Sequence, residues 1–401
     1  MRKQKMKFVV AICLLSVFSF SSFAQAGDPL KSSKVVAKKV KVNGNDVVVC
    51  DQSLLGSTTI ALPLSALTEE LQILKLDDAD AALTKENIFT QISDNYILTK
   101  GEQQIPFKLF DRKTGKFLTN IGAFGQGPNE YQSVYDQQLD EKNNRIYLMP
   151  WQTKKILVYD LKGKALDPIP LCMHAPKGRI SVDTKAGTVI VSILPFEDSP
   201  AVVWTQTTKG KLIHSIPSGK FVAPDFSNEV ITTKFGGVYS FCISTYYDIK
   251  PDSIYHYESA TNKMIPVFTT KFNTSEIPIH NHVEMPGFFI GEFAEKKPVT
   301  ANMSTTQNQR FYLVDKKTLK GSFFELENDF LGNAPIKKPI WLFDGEYFVQ
   351  NMDPGNLSDM LEKVLSSNKK LTPAQKTKLT KLKNSITDND NNYILYAKIK
   401  K

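Results

Sequence analysis

Cysteine, tryptophan and histidine are scarce in this chain of 401 residues, which contains four Cys, three Trp and five His. Cys13 lies in an apolar N-terminal segment, so Cys50, Cys172 and Cys242 remain at wide spacing. An odd number of cysteines so far apart predicts neither a disulfide framework nor a zinc site. We expect them to be small buried hydrophobic residues, with one bridge between Cys172 and Cys242 left open.

The chain also lacks a basic stripe interleaved with aromatic residues. Its net charge is +9, but the excess lysines lie near the two ends, at 31–41 and 363–401. A solvated lysine surface is the simpler interpretation, and nucleic acid is not an expected partner.

The longest apolar run is too short for a membrane-spanning helix. It covers Phe8 to Phe20, about a dozen residues, whereas a span needs roughly 20. Four cationic residues precede it, and small residues ending at Ala26 follow. This is the layout of a cleaved secretory signal, here residues 1–26, with a retained anchor as the alternative. We expect cleavage near Ala26 or Ala24, a net charge of +5, no transmembrane segment in the mature chain, and a periplasmic or extracellular protein.

What the chain does contain is a repeated hairpin. "FKLFDRKTGKFLTNI" at 107–121 and "ILVYDLKGKALDPI" at 156–169 both read as an alternating strand, a turn with Lys and Gly, and a second strand. Weaker copies occupy 202–216, 254–268 and 311–326. The residues taken as equivalent are Asp111, Asp160, Thr205, Glu258 and Asp315, at spacings of 45 to 57 residues.

Two further strand-like runs precede each hairpin, and four short strands per repeat are typical of a β-propeller blade. The chain ends can supply one more blade, from 339–353 and 391–400 with an outer strand at 71–78. We therefore predict an all-β fold, a six-bladed β-propeller of four-stranded blades. It would cover residues 51–401, after a Lys-rich linker or strand at 27–50.

Residues 356–384 interrupt the β pattern and predict two helices inserted in the last blade. Asn356 or Ser358 can cap the first helix. Thr372 can cap the second, with Pro373 in its first turn and Gln375 completing a capping box.

The segment from Phe110 to Lys164 resembles the exported six-bladed β-propeller proteins of Bacteroides-type bacteria, which are similar to NHL-repeat and TolB-like propellers. The resemblance is carried by "FDRKTGKFLTNIGAFGQGPNEY", in which Asn129 replaces the family's usual Gly. It extends over residues 50 to 401. It implies the propeller fold and export, and it brings no catalytic residues with it.

The stretch "IGAFGQGPNEYQ" at 121–132 is glycine-rich, but it is not followed by Lys-Ser or Lys-Thr, and no strand–glycine–helix unit surrounds it. We interpret it as the junction between two blades. Glu130 and Tyr131 could pin this turn through backbone hydrogen bonds or could face a ligand. Together with Trp151 they are the candidate ligand-binding residues.

His280, His282 and Glu284 alternate in "HNHVE", and in a strand they would share one face, which suits a metal. We favour a solvated loop or strand face instead. No Ser-His-Asp pattern with a nucleophile elbow is present, so the catalytic residues are unknown. No metal site or cofactor is predicted.

These patterns predict a monomeric binding or interaction module of the cell envelope. Its ligand would be a glycan, a peptide or an envelope protein. Acidic and aromatic residues in loops such as 195–200 and 245–252 could build a binding face at one end of the channel, but ordinary loop packing is the favoured interpretation of them. The alternative is a metal-dependent, lactonase-like propeller hydrolase or lyase, with Ca²⁺ or another divalent metal in the central channel. A set of inward-pointing carboxylates would distinguish it, and none stands out in the sequence.

Overall fold

The fold was analysed in a computed structural model, which describes residues 17–20, 27–100, 104–223, 228–244, 253–273, 278–300, 303–367 and 371–401. Over these residues the chain forms mostly antiparallel sheets and two α-helices, arranged as a β-propeller. The first strands of successive blades contact one another around the central channel. No helix within this described part is long and apolar enough to cross a membrane.

Five blades are built from four consecutive antiparallel strands each in the described part of the chain. Blade I contains Thr90–Ile92, Tyr96–Thr99, Phe107–Asp111 and Phe117–Ile121; blade II contains Val134–Asp140, Arg145–Pro150, Thr153–Tyr159 and Ala165–Ala175. Blade III contains Gly178–Asp183, Thr188–Ile193, Ala201–Thr207 and Leu212–Pro217; blade IV contains Glu229–Phe235, Val238–Ser244, Ile254–Glu258 and Lys263–Lys271. Blade V contains Ile279–Glu284, Phe288–Thr300, Met303–Asp315 and Lys320–Asn328.

A further sheet, here the closing sheet, combines strands from both ends of the chain. Its order is Val17–Phe20, Leu71–Lys75, Tyr393–Lys398, Tyr347–Met352 and Phe343–Asp344. The expected pairing of an N-terminal strand with C-terminal strands is confirmed, because Ile73 lies opposite Leu395 in an antiparallel ladder.

The expected count of six blades is wrong, since the blades number five over the described residues. The hairpin repeat occurs five times in the sequence, and each copy forms one blade. The closing sheet differs from these blades in two ways. Its strands come from segments that are distant in the sequence, and its innermost strand, Phe343–Asp344, has only two residues.

Segments near the N terminus cover the outer edges of blades IV and V. Asn45–Asp51 pairs in parallel with the last strand of blade IV and carries Ala37–Val42 on its far side. Thr59–Pro63 pairs in parallel with the last strand of blade V, where Lys34–Val35 and Ala334–Pro335 also pair. Covering an edge strand removes the unpaired backbone groups through which sheets associate.

The repeated turn has a local cause in its first residue. The Asp111 carboxylate accepts the backbone N–H of Thr114 at 2.7 Å, and the Asp160 carboxylate accepts those of Lys162 and Lys164 at 2.9 Å. Side chains of this kind stabilise tight turns by bonding to the backbone a few residues on. In blade III the equivalent residue is Thr207 and not Thr205, because its hydroxyl accepts the N–H of Lys211 at 3.1 Å.

Two α-helices lie between the closing-sheet strands Tyr347–Met352 and Tyr393–Lys398, as predicted. Helix α1 is Pro354–Ser367 and helix α2 is Pro373–Asn384. Thr372 and Gln375 form the predicted capping box of α2. The cap of α1 is Asp353 rather than Asn356 or Ser358, since its carboxylate accepts the N–H of Gly355 at 2.8 Å.

The remaining elements are short. A parallel pair, Ala123–Phe124 and Glu130–Tyr131, lies between blades I and II. Single 3₁₀ turns occur at Gln52–Leu55, Leu64–Ala66, Asp80–Ala82, Glu141–Asn143, Gly219–Phe221, Asp329–Leu331 and Pro339–Leu342.

Cys50, Cys172 and Cys242, the cysteines among the described residues, are free, so the bridge left open between Cys172 and Cys242 does not form. Cys172 is exposed on the outer strand of blade II, whereas Cys242 is buried between blades IV and V. Cys50 is buried in the same cluster, and burial raises the pKa of its thiol to about 12. The expectation of buried small residues is therefore confirmed for Cys50 and Cys242 and wrong for Cys172.

Candidate functional site

A cavity of about 1610 Å³ opens at the end of the propeller where the first strands of the blades begin. Helix α1 forms one wall of it. The residues that line it from the blades are Phe89, Lys100, Ser133, Val134, Tyr135, Arg179, Glu229 and Glu327. Those that line it from the closing sheet, α1 and neighbouring turns include Trp341, Gln350, Asn351, Met352, Asn356, Asp359, Met360 and Lys363.

Glu229 is the most strongly perturbed acid in this cavity. It is the first residue of the inner strand of blade IV, and its Oε1 lies 2.6 Å from the Lys177 ammonium. The Tyr135 hydroxyl donates a hydrogen bond to the other carboxylate oxygen. Burial raises the pKa of Glu229 to about 7. The carboxyl group can therefore gain or lose a proton near neutral pH, a property common at functional sites.

Arg179 connects three blades beneath the cavity. Its guanidinium lies 3.2 Å from the Asp136 carboxylate, and Nε donates to the Val230 carbonyl at 3.0 Å. It also stacks on the Tyr135 ring, 5.0 Å from the centroid. These contacts hold Arg179 and Tyr135 in fixed positions, so the polar rim of the cavity is organised without a ligand.

The central channel below this rim contains a lysine and an aspartate whose pKa values are shifted. Lys234 donates to the Ile180 carbonyl at 2.5 Å, and burial lowers the pKa of its ammonium. Burial raises the pKa of the Asp344 carboxyl, and the neighbouring Asp136 carboxylate acts in the same direction. Both shifts favour the neutral forms of these groups, because the surrounding protein atoms limit their hydration.

The side of the cavity nearest blade I combines an aromatic ring with a cation. The Lys100 ammonium lies 4.6 Å from the centre of the Phe89 ring, and burial lowers its pKa. Asn87 organises this wall by accepting the Phe89 N–H at 2.9 Å and donating to the Lys100 carbonyl at 2.9 Å.

An adjoining wall is supplied by α1 and the turn before it. Leu357, Leu361 and Val364 are buried against the core, which fixes the position of the helix. Asp359 and Lys363 lie one helical turn apart on its exposed side and border the cavity. Asn356 donates to the Glu86 carboxylate at 2.7 Å and so joins α1 to the segment before blade I.

Two of the predicted ligand-binding residues, Glu130 and Tyr131, pin the junction between blades I and II. The Glu130 carboxylate accepts the N–H of Gly127 at 2.9 Å. The Tyr131 hydroxyl donates to the Ile121 carbonyl at 2.7 Å and accepts the N–H of Phe107 at 2.8 Å. Neither residue lines the cavity. Of the two roles considered for them, backbone pinning is the one observed.

Trp151, the third predicted residue, lies on the same end of the propeller as the cavity but outside its lining. Its side chain is 46% exposed, and its backbone N–H donates to the Ser133 carbonyl at 3.0 Å. The predicted loop at 195–200 is also at this end, where Phe196, Glu197 and Asp198 border a separate hollow. The loop at 245–252 lies outside the described residues.

The histidines of "HNHVE" are buried rather than solvated, which corrects the favoured expectation. His280 and His282 are each 1% exposed, on the inner strand of blade V. His282 Nε2 lies 3.0 Å from the Tyr312 hydroxyl. Glu284 instead pairs with His256 at 2.6 Å and with Lys316 at 2.7 Å. The rings of His280 and His282 lie side by side, with centroids 5.3 Å apart, as their spacing suggested, whereas Glu284 is taken up by its two ion pairs.

No group of three or more His, Cys, Asp or Glu side chains that could hold a metal ion occurs among the described residues.

Three residues of the cavity, Tyr135, Arg179 and Glu229, were not predicted from the sequence. The available signal was positional, since each is the first or second residue of an inner strand in consecutive blades.

Comparison with known proteins identifies a family and a fold. The family model DUF4934, a domain of unknown function, matches residues 47–398. No curated protein matches the chain. The crystal structure of a protein of Bacteroides fragilis, whose name describes it as exported, is 17% identical, with a TM-score of 0.58. That alignment covers 82% of this chain and 95% of the Bacteroides protein.

Two other solved structures are less similar. A member of the DUF4221 family from Bacteroides vulgatus is 12% identical, with a TM-score of 0.41, and the alignment covers 83% of this chain and 97% of that one. A β-propeller domain from Myceliophteria thermophila is 10% identical, with a TM-score of 0.30, and the alignment covers 58% and 86% of the two chains.

Proposed function

We propose that this chain, which belongs to the DUF4934 family, is an exported binding module that holds a glycan in the cavity between the blades and α1. The observation that carries the proposal is the cavity itself. Its volume of about 1610 Å³ exceeds the range of roughly 300–1,000 Å³ typical of small-molecule sites, so it suits a ligand of several linked units.

The lining chemistry favours a sugar chain over an apolar ligand. Sugar rings present C–H faces that pack on aromatic rings, and hydroxyls that bond to carboxylates, amides and cations. Trp341, Phe89 and Tyr135 supply rings, and Glu229 and Asp359 supply carboxylates. A peptide is the second ligand class that this mixture of groups could hold.

Export and location in the periplasm or outside the cell belong to the same proposal. The basic residues, apolar run and small residues of the first 26 positions support it. So does the similarity in fold to a Bacteroides fragilis protein that is named as exported. A carbohydrate-binding role is consistent with such a location.

The test is a glycan array, followed by calorimetry on any glycan that binds. It uses the chain purified after export from a bacterial host. Trp341→Ala removes a ring from the cavity lining and is expected to weaken binding at least tenfold. Trp151→Ala is the matched control, because this tryptophan lies on the same end of the propeller outside the cavity.

Equal loss of affinity in both variants would place the ligand outside the cavity. If the protein binds no glycan but binds extended peptides on a peptide array, the proposal that its ligand is a glycan would be contradicted. The Trp341 side chain is partly buried against the core, so its removal could disturb folding. Circular dichroism of each variant checks that the protein still folds.

A metal-dependent hydrolase or lyase has less support from the described residues. It would need carboxylates or histidines from several blades converging on a metal, and the described residues offer no such group. The carboxylates of the channel, Asp136 and Asp344, lie instead beside Arg179 and Lys234.

A further inference from the structure

The outer edge of the closing sheet is occupied by part of the segment that the sequence predicts to be removed. Val17–Phe20 lies antiparallel to Leu71–Lys75, with Phe18 opposite Ile73 and Phe20 opposite Leu71. The edges of blades IV and V are covered instead by segments that follow the predicted cleavage site. Of the closing sheet and blades IV and V, the closing sheet is therefore the one whose edge-covering strand would be removed together with the signal peptide.

The contacts of this strand define a groove between Leu71–Lys75 and helix α2. The Phe20 side chain is 1% exposed and belongs to the largest core cluster, and Phe18 packs against the same cluster. The Lys378 ammonium of α2 lies 4.2 Å from the centre of the Phe20 ring and donates to the Ser19 carbonyl. Ser19 between them bonds to the Gln72 side chain at 2.6 Å.

The groove thus selects for an extended backbone with an aromatic residue at every second position. The sheet edge provides backbone partners, the core provides an apolar pocket, and Lys378 provides a cation above the ring. Removal of Val17–Phe20 would leave a pocket of the size of a Phe side chain and unpaired backbone groups on Leu71–Lys75. Both features favour rebinding of a similar strand.

We infer that the edge of Leu71–Lys75 is a strand-acceptor site in the exported chain. Its occupant is an extended segment of another protein with the pattern aromatic–small polar–aromatic, and Val17–Phe20 occupies the site only until processing. The inference uses the predicted cleavage and is independent of the glycan cavity, which lies between the blades and α1.

The first measurement is the N terminus of the exported chain, by mass spectrometry. A terminus after Phe20 is expected. A terminus that retains Val17–Phe20 would overturn the inference, because the site would then be filled permanently by the chain itself.

The second measurement is fluorescence anisotropy of a labelled peptide with the sequence of residues 16–21, SVFSFS, added to the exported chain. Saturable binding is expected, weakened at least tenfold in the peptide with Phe20→Ser. A peptide of the same sequence with N-methylated backbone at alternate residues should bind at least tenfold more weakly, because it cannot complete the ladder. Equal binding of all three peptides, or no binding, would overturn the inference.

The protein side is tested with two lysines of α2. Lys378→Ala should weaken the peptide several-fold, while Lys376→Ala, an exposed lysine of the same helix that does not contact Phe20, should leave binding unchanged. Equal effects of the two variants would contradict the groove. If the exported chain forms dimers and the peptide dissociates them, the occupant of the groove is a second copy of the chain. That result would overturn the assignment to another protein.

Discussion

Two neighbouring segments at the same end of the propeller differ sharply in how their sequence relates to their role. The junction at 121–131 is rich in glycine and matches a recognisable motif, and it holds two blades together. The rim of the cavity begins only a few residues later, at Tyr135, and continues at Arg179 and Glu229. No motif marks these rim residues.

The difference has a physical origin. A junction needs particular backbone angles, and only certain residues supply them: Gly122 has φ 71° and Gly125 has φ 159°. A binding rim needs side chains of suitable chemistry at positions brought together by the fold. Such positions are far apart in sequence, and many residue types can fill them. In this protein the recognisable motif therefore marks a structural junction, and the residues of the candidate site lie in strands that carry no motif.

The largest effect that would test this comparison is expected at Gly122. A Cβ there would lie 2.6 Å from the Tyr159 hydroxyl and 2.7 Å from the Tyr131 ring, and the backbone is in the left-handed region. Gly122→Val should lower the free energy of unfolding by about 3 kcal/mol or more, measured by urea denaturation.

Gly187→Val is the matched control for this substitution. Gly187 has φ 66°, but no atom lies within 4 Å of its Cβ position. It should show only the backbone strain, about 1–2 kcal/mol. Equal losses in the two variants would mean that packing at the junction contributes nothing.

A smaller effect is expected from removing a single hydroxyl on each side of the comparison. Tyr131→Phe leaves the buried Phe107 N–H and Ile121 carbonyl without their partner, which should cost about 2 kcal/mol of stability. Tyr135→Phe removes only the hydroxyl bonded to Glu229, at the half-buried rim, and should cost about 1 kcal/mol or less.

Binding should show the reverse order in these two variants. Any glycan held in the cavity should lose affinity with Tyr135→Phe and keep it with Tyr131→Phe, as measured by calorimetry. If Tyr131→Phe weakens the ligand and Tyr135→Phe does not, the junction and not the rim is the binding surface.

Much of the fold could be predicted because its determinants are local. Each hairpin repeat with Asp at its turn, such as Asp111 or Asp160, predicts one blade. The capping box of Thr372 and Gln375 predicts the start of α2. The pairing of Leu71–Lys75 with Tyr393–Lys398 was also predicted, although these segments are over 300 residues apart. The count of blades failed because the closing sheet was taken for a sixth four-stranded blade, whereas its inner strand, Phe343–Asp344, has only two residues.

The candidate site was harder to predict for the same reason. Glu130, Tyr131 and Trp151 were chosen for their chemistry and motif, and none of them lines the cavity. Glu229 owes its raised pKa to burial by other blades and to no neighbour in sequence. His280 and His282 show that a conspicuous pattern can also have a structural cause. Their alternate spacing suits a metal, but both side chains are buried and pack against Phe272 and Phe268 of blade IV.

An effect about as small as that of Tyr135→Phe, and one that also sharpens the comparison, is expected in the response of Glu229 to pH. Its pKa rises on folding from an ordinary 4.5 to about 7, so the folded chain holds a proton that the unfolded chain releases. This proton favours the folded state at low pH. The contribution is lost as pH rises from about 4.5 to 7 and is constant above that.

Because the Glu229 side chain is 31% exposed, solvent screening reduces the change to about 1 kcal/mol. Urea unfolding at pH 5 to 8 should show this decline in the parent chain and its absence in Glu229→Gln. Glu197→Gln, an exposed acid at the same end of the propeller, should keep the slope of the parent. If Glu229→Gln also keeps that slope, the rim carboxylate is solvated like an ordinary surface acid. The rim would then lack the electrostatic distinction that separates it from the junction.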